Sequence, residues 1–252
     1  MSDDQGIRIN KYLAKAGICS RREADKLIGE GKVQINGVKA GVGDLVRETD
    51  RVTVGNREVH AGQKTLVYAF YKPVGVTCTE KDRFAARMVK DYIQIPERLT
   101  YAGRLDKDSE GLLLLTNDGD LIQTLMRGAN RHEKEYVVKV NKEITPEFVS
   151  RMSAGIFLEQ LGQTTRACTV DKVGKYTFRI ILTQGLNRQI RRMCEACGYK
   201  TESLKRVRIN NILLGSLVPG QMRQITGEEL SGLYESIGRK TSNDDSRNNR
   251  HE

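Results

Sequence analysis

Ala102-Gly103-Arg104-Leu105-Asp106-Lys107-Asp108-Ser109-Glu110-Gly111 runs directly into Leu112-Leu113-Leu114-Leu115-Thr116-Asn117-Asp118-Gly119. An arginine, two aspartates and a glutamate therefore lead into four leucines. Such charges ordinarily stay on solvated loops, because an unpaired buried carboxylate is costly. Here they stand where an apolar strand begins. Three readings compete: a metal loop, a catalytic carboxylate in a cleft, and an ordinary charged turn. Asp106-x-Asp108-x-Glu110-Gly111 fits the first half of a calcium loop, but Asn117 occupies the twelfth position, where a bidentate glutamate is needed, and leucines fill the later half. An EF-hand is excluded. Paired aspartates also serve phosphotransferases that form an aspartyl-phosphate, though these follow an apolar strand directly, whereas Arg104-Leu105 precede this pair. In the third reading Gly103 permits close backbone approach, Arg104 neutralises or orients, and Asp106 projects just before the strand. A catalytic aspartate needs that kind of rigid support and a nearby cation. Asn117-Asp118-Gly119 then turns the chain into a helix over 120–126, with Leu121, Ile122 and Leu125 inward.

The 252 residues suffice for one large domain or two smaller ones. Forty-two Lys and Arg against thirty-two Asp and Glu leave a net charge of +10, which suits a polyanionic partner: RNA, DNA or an acidic membrane. No apolar run approaches the ~20 residues that cross a bilayer. The acidic start, Met1-Ser2-Asp3-Asp4, lacks the apolar stretch of a signal peptide. Five cysteines without secretory features point to free thiols in a reducing cytoplasm. Cys194-x-x-Cys197 has no second CxxC and reads as two thiols on a helix ending at Gly198.

Upstream, Ile9, Tyr12, Leu13 and Ala16 fall at helical spacing, and Gly17 supplies a stop. Ser20 with Glu23 forms a capping-box pattern opening a second helix, whose Ala24, Leu27 and Ile28 point inward. Lys32 to Ile35 alternates as a strand before the tight-turn pair Asn36-Gly37. Residues 7–40 carry eight Lys and Arg against three acids. Arg21 and Arg22 stand at the start of a helix, where cations weaken the helix but free N–H groups favour phosphate. Short strands follow at Leu45-Val46 and Val52–Val54, then a polar linker. Leu66–Tyr71 reads as a buried strand, broken by Lys72-Pro73-Val74-Gly75. Residues 185–208 hold a second basic patch, seven Lys and Arg against two glutamates. Leu204–Ile209 alternates as a strand with its basic residues outward, and 228–237 closes with a helix.

Arg8-Ile9-Asn10-Lys11-Tyr12-Leu13, Gly17, Ser20-Arg21-Arg22-Glu23-Ala24, Leu27-Ile28, Gly31-Lys32-Val33 and Asn36-Gly37 together resemble the S4 RNA-binding domain. The resemblance implies that Arg8, Lys11, Arg21, Arg22, Lys32 and Lys39 grip structured RNA by phosphate and shape. Gly103-Arg104-Leu105-Asp106 with Ser109, Gly111–Thr116 and Asp118-Gly119 resembles the signature of RNA pseudouridine synthases, nearest the RsuA/RluF branch. That family's essential aspartate falls on Asp106. Lys134-Glu135-Tyr136-Val137-Val138 resembles the strand of its active-site tyrosine, which implies that Tyr136 stacks on the target base. From the residues alone, Tyr136 shares a strand face with Val138 and Val140. Leu182–Met193 resembles the third motif, implying that Ile190 packs at the site and that Arg191 pairs with the aspartate. Many members carry His at the Arg188 position, so Arg188 is given RNA contact, with Arg104, Arg192, Lys205 and Arg206, and no catalytic part.

The expected fold is α+β: an S4-like domain over 7–57, a linker over 58–64, a catalytic domain over 65–237 with a mixed, largely antiparallel sheet flanked by helices, and a disordered tail over 238–252. The resemblance implies isomerisation of uridine to pseudouridine in ribosomal RNA, with 23S rRNA favoured by Gln184–Gln189, and no metal or other cofactor. The expected partner is a structured rRNA stem-loop, with no membrane and no obligate protein partner. A non-catalytic RNA-binding protein and a magnesium-dependent phosphotransferase using Asp106 and Asp108 stand as rivals.

Overall fold

The computed structural model describes residues 6–60, 62, 64–79, 86–127 and 131–239. The chain forms two compact units: one built on residues up to Thr65 with Ile95–Arg98 and Asn117–Gly119, the other on the remainder.

The smaller unit runs β1 (Ile7–Arg8), α1 (Ile9–Lys15), α2 (Arg21–Gly29), β2 (Val33–Ile35), β3 (Val38–Lys39), β4 (Leu45–Val46), β5 (Val52–Val54) and β6 (Arg57–Val59). Ile9, Leu13, Ala24 and Ile28 from the helices bury against Val33, Val46, Val52 and Val59 from the strands. Both halves of the capping box form: Glu23 N–H donates to Ser20 Oγ (3.2 Å), and Ser20 N–H to Glu23 Oε2 (2.9 Å). Asn36 and Gly37 take positive φ, 53° and 83°, as a two-residue hairpin turn with the twist of its strands requires. β6 pairs with β5 and buries Val59. The linker expected at 58–64 therefore starts inside this sheet, in an order β3-β2-β5-β6. One buried valine after two charged residues gave too short an alternation to mark a strand.

In the larger unit the elements are β7 (Val67–Lys72), β8 (Thr100–Ala102), β9 (Glu110–Thr116), α3 (Gly119–Met126), β10 (Lys134–Val140), α4 (Pro146–Ala154), β11 (Phe157–Leu158), β12 (Gln163–Thr164), β13 (Thr169–Gly174), β14 (Thr177–Leu182), α5 (Gln189–Ala196), β15 (Thr201–Ile209), β16 (Ile212–Leu213), β17 (Met222–Gln224) and α6 (Gly227–Ser236). The sheet order is β13-β14-β10-β15-β9-β7-β17, with β8 also on β9 and β16 on β15. Only β15 with β9 is parallel among these pairs. The fold is the expected mixed, largely antiparallel α+β sheet. One apolar cluster joins α4 and α5 to β10 and β14 through Phe148, Met152, Met193, Val138 and Phe178. A second joins α3 and α6 to β7 and β9 through Leu121, Leu233, Ala69, Leu112 and Leu114. All four leucines of β9 have no exposed surface, so this strand is covered on both faces, which explains its unbroken apolar run. The expected tail lies, from residue 240 onward, outside the described residues.

Gly111 is the tightest point of the sheet. It pairs with Lys72 of β7 on one side and Arg206 of β15 on the other. Its φ is +106°, and a Cβ there would lie 2.2 Å from the Arg206 carbonyl oxygen. Any side chain would force β15 from β9 and strain the backbone as well. Gly111→Ala should thus destabilise the large unit by about 3 kcal/mol or more, read as a fall in the denaturant midpoint; a midpoint equal to wild type would show that β15 can shift freely.

Candidate active site

The segment 103–109 lies between β8 and β9, and with α5, β10 and β15 it lines a cleft of about 750 Å³. Asp106, Tyr136, Ile190, Arg188, Arg191 and Arg104 all line it, so residues from three separated motifs meet at one place. Asp106 is half-exposed, whereas Tyr136 and Ile190 are buried. Tyr136, Val138 and Val140 share the buried face of β10, as alternation required. The turn needs Gly103 at φ +83°, where a Cβ would meet Met126 Sδ at 2.9 Å.

The charges pair differently from the expectation. Arg191 does not join Asp106: its Nε lies 3.3 Å from Asp108 Oδ2, and its Nη2 donates to the Asp108 carbonyl (2.8 Å) and to Ser109 Oγ (3.3 Å). Arg188 takes that place instead, with Nη1 3.6 Å from Asp106 Oδ2 and a two-pronged pair of hydrogen bonds to Asp108 (3.2 and 3.1 Å). The reason is local geometry. Arg188 has left-handed backbone (φ 51°) at the entrance of α5, which aims its side chain across the mouth, while Arg191, one turn on, is buried against the loop. Asp108 thus holds two guanidinium groups. Burial works against its carboxylate, but the hydrogen bonds from Arg188 and the charges of Arg191 and Arg188 outweigh it and hold its pKa below the ordinary aspartate value.

Other basic residues were also misplaced by the sequence reading. Arg206 is not outward: it is 2 % exposed, lines the cleft, and donates from Nε to the Leu112 carbonyl (2.7 Å). Three basic residues in four positions cannot all face one side of a strand. Lys205 lies 3.8 Å from Glu110 and over the Tyr71 ring. Arg192 points away from the cleft and bonds to Asn187, bordering a separate groove of about 650 Å³ with Arg151, Glu159 and Glu195. In the small unit Arg8, Arg21, Arg22 and Lys39 are exposed, while Lys32 pairs with Glu30 at 2.7 Å. The two CxxC thiols sit at the end of α5, and burial pushes Cys194 up to about 12, an inert thiol.

Two lysines were missed. Lys72 ends β7 with no exposed surface, its Nζ donating to the Pro73 carbonyl (2.8 Å). Burial lowers its pKa to about 8, with Cys78, Asp106 and Asp108 opposing the drop. Lys134 lines the cleft, and burial with the charge of Arg206 lowers it to about 8 as well. A lysine closing an apolar strand run was the available signal for the first, and spacing two before Tyr136 for the second.

Residues 66–196 match the RNA pseudouridylate synthase family, and residues 7–52 the S4 domain. The chain belongs to the RNA pseudouridylate synthase family. It is 45% identical over 244 residues to the dual-specificity RNA pseudouridine synthase RluF of Escherichia coli K12, covering 96% of this chain and 83% of that one. It is 38% identical to the ribosomal large subunit pseudouridine synthase B of Bacillus subtilis, over 90% of this chain and 95% of that one. A crystal structure of a pseudouridylate synthase superposes with a TM-score of 0.67 at 25% identity, covering 90% of this chain and 99% of the other. This synthase therefore isomerises uridine in RNA to pseudouridine, with an S4 domain at its N-terminal end.

The buried lysines give this synthase a defined pH response. Each has a folded pKa below its unfolded value near 10.5, so the unfolded state binds more protons between pH 8 and 10.5, and stability rises with pH across that window. Holding Lys72 charged at pH 7 costs on the order of 3 kcal/mol. Lys72→Met should therefore raise the unfolding free energy at pH 7 and flatten its rise above pH 8. Single-turnover activity should fall at least about tenfold, because a buried cation electrostatically coupled to Asp106 and Asp108 is gone. Unchanged activity with raised stability would remove Lys72 from the electrostatics of the site.

Proposed function

We propose that this synthase acts on a uridine in large-subunit ribosomal RNA, with Asp106 as the residue that works on the sugar. The observation that carries the assignment is the meeting of Asp106, Tyr136 and Ile190 in one cleft, with an arginine 3.6 Å from the Asp106 carboxylate. Asp106 either bonds C1′ or removes a sugar proton, with the Arg188 guanidinium 3.6 Å from its carboxylate. Arg191 acts one step back: through Asp108 and Ser109 it fixes the loop that presents Asp106. Tyr136 stacks on the uracil, and Ile190 excludes water beneath it. Reaching this cleft requires the base to leave its stack, so a loop or distorted stem is the fitting target. The rRNA assignment rests on relatives named RluF and ribosomal large subunit pseudouridine synthase B. Such a target places the enzyme in the cytoplasm; among the described residues no helix is long and apolar enough to cross a membrane.

RNA affinity belongs chiefly to the exposed cations of the small unit, Arg8, Arg21, Arg22 and Lys39. Lys11 is half-exposed, and Lys32 is exposed but paired with Glu30. In the large unit Arg104 borders the cleft.

The test is a map of pseudouridine in ribosomal RNA from cells lacking the protein, complemented with wild type or Asp106→Ala. One 23S rRNA site should vanish, return with wild type and stay absent with Asp106→Ala; an unchanged map would sink the rRNA assignment. The S4 contribution is read separately. Replacing Arg21 and Arg22 by Ala should weaken RNA binding and reduce the slope of log affinity against log salt by about 1–2, with turnover of bound RNA preserved. A slope equal to wild type would show that these arginines do not reach phosphate.

A further inference from the structure

Arg206 carries an unmet demand. Its Nε is bonded to Leu112, but the buried Nη2 has no hydrogen-bond partner. A buried guanidinium donor left open is costly, so a native fold keeps one only where something else completes it. The side chain lines the cleft. In the ladder Arg206 is the direct partner of Tyr136, so the two side chains leave the sheet on the same face. Lys134 lies two residues before Tyr136 and shares that face too. Its Nζ has a 3.5 Å contact with the His132 carbonyl, which leaves two of its three donors for another acceptor. Two cations thus stand beside the tyrosine expected to hold the base, close enough that Arg206 depresses the lysine's pKa. No carboxylate is paired with either by a salt bridge among the described residues.

We propose that Lys134 and Arg206 form a cradle for a carbonyl oxygen of the target uracil, and that they carry the negative charge of the ring while it is detached from the sugar. This rests on reading the Asp106 cleft as the catalytic site. The chemistry demands such a group. When the N1–C1′ bond breaks, its electron pair leaves with the uracil, and the charge spreads from N1 to O2 and O4. At the same time Asp106 bonds to C1′ or takes a proton from C2′. After the ring turns, C5 bonds to C1′ as the bond to Asp106 breaks or the C2′ proton returns; C5 then loses its proton and N1 gains one. The sum is an isomerisation with no atom or electron left over. Between the two steps the ring is an anion in a cleft walled by Leu182, Leu204 and Ile190. Asp106 serves the sugar and would repel that charge. Fixed donors aimed where charge develops are the effective answer in such a site. The same anion answers the cations, since a negative ring beside Lys134 offsets the burial that holds its pKa near 8.

The test uses full-length enzyme and an RNA stem-loop containing the mapped uridine, made with uridine, 2-thiouridine or 4-thiouridine at that position, sulfur being the poorer acceptor. Lys134→Met should keep RNA affinity within about threefold and slow single-turnover pseudouridine formation about 100-fold, the scale of losing one such donor. Lys134→Arg, which keeps a charged donor, should recover most of that loss. Wild type should be slowed about tenfold or more by one of the two thio-substitutions, and Lys134→Met should show no further slowing by it, identifying the oxygen held. Arg206→Lys should show the same split of rate from affinity, with its thermal unfolding measured alongside. If Lys134→Met loses affinity but not rate, or if the thio effect is fully additive with the variant, the cradle is overturned. Asp106→Asn runs in parallel: inactive with affinity intact, it confirms the cleft irrespective of the cradle's result; still active, it places the failure in the reading of the cleft itself.

Discussion

The carboxylates Asp106 and Asp108 face an excess of positive charge, and the rest of the site depends on that imbalance. Arg188 and Arg191 converge on them from α5, while Lys72, buried at the end of β7, has its charge supported by both. Lys134 and Arg206 add two further cations to the same region. Five guanidinium or ammonium groups stand against two carboxylates. Burying that surplus is unfavourable, as the depressed pKa values of Lys72 and Lys134 record. A surplus that destabilises the free protein is consistent with a site designed to be completed by a negative guest. RNA supplies phosphate, and the reaction supplies a transient anion.

The backbone that holds these groups is determined by one close approach. β9 lies between β7 and β15, and at Gly111 three chains meet through Lys72, Gly111 and Arg206. Without a side chain at Gly111, the two buried cations of neighbouring strands can flank β9 where it leaves the loop 103–109. The leucines that follow are buried on both faces and fix the strand's position. The loop carrying Asp106 is therefore anchored at its C-terminal end by the most apolar strand of the domain, and at its side by Arg191. Rigid support of this kind holds a loop side chain within small positional tolerances.

Features encoded within a few residues were legible in the sequence. Ser20 with Glu23, Asn36 with Gly37, and the alternation of Tyr136, Val138 and Val140 each involve neighbours along the chain, and each formed as expected. The three motifs also placed Asp106, Tyr136, Ile190 and Arg191 in one cleft. Pairing among charges was not legible, because it joins residues some 80 positions apart: Arg188 meets Asp108 through the turn angle at the start of α5. Spacing says nothing of that angle. Arg206 illustrates the opposite error. A basic residue in a strand reads as solvent-facing, yet the parallel contact with β9 puts it inside. Charge density in the sequence pointed to RNA from both patches, but most of the second patch is occupied within the protein.

That difference divides the work between the two units. The exposed arginines of the S4 domain can exchange counterions for phosphates, so their contribution to affinity is sequence-tolerant and sensitive to salt. The cations of the cleft are buried or already paired; they gain little from a passing phosphate and much from a charge formed in place. Coulombic attraction at a surface is screened within about 10 Å at moderate salt, whereas the same charges in a dry cleft are not. A protein that put its strongest cations on the surface would bind RNA tightly and without discrimination. By keeping them inside, beside Asp106, this fold reserves its strongest electrostatic interactions for the one nucleotide that enters the cleft.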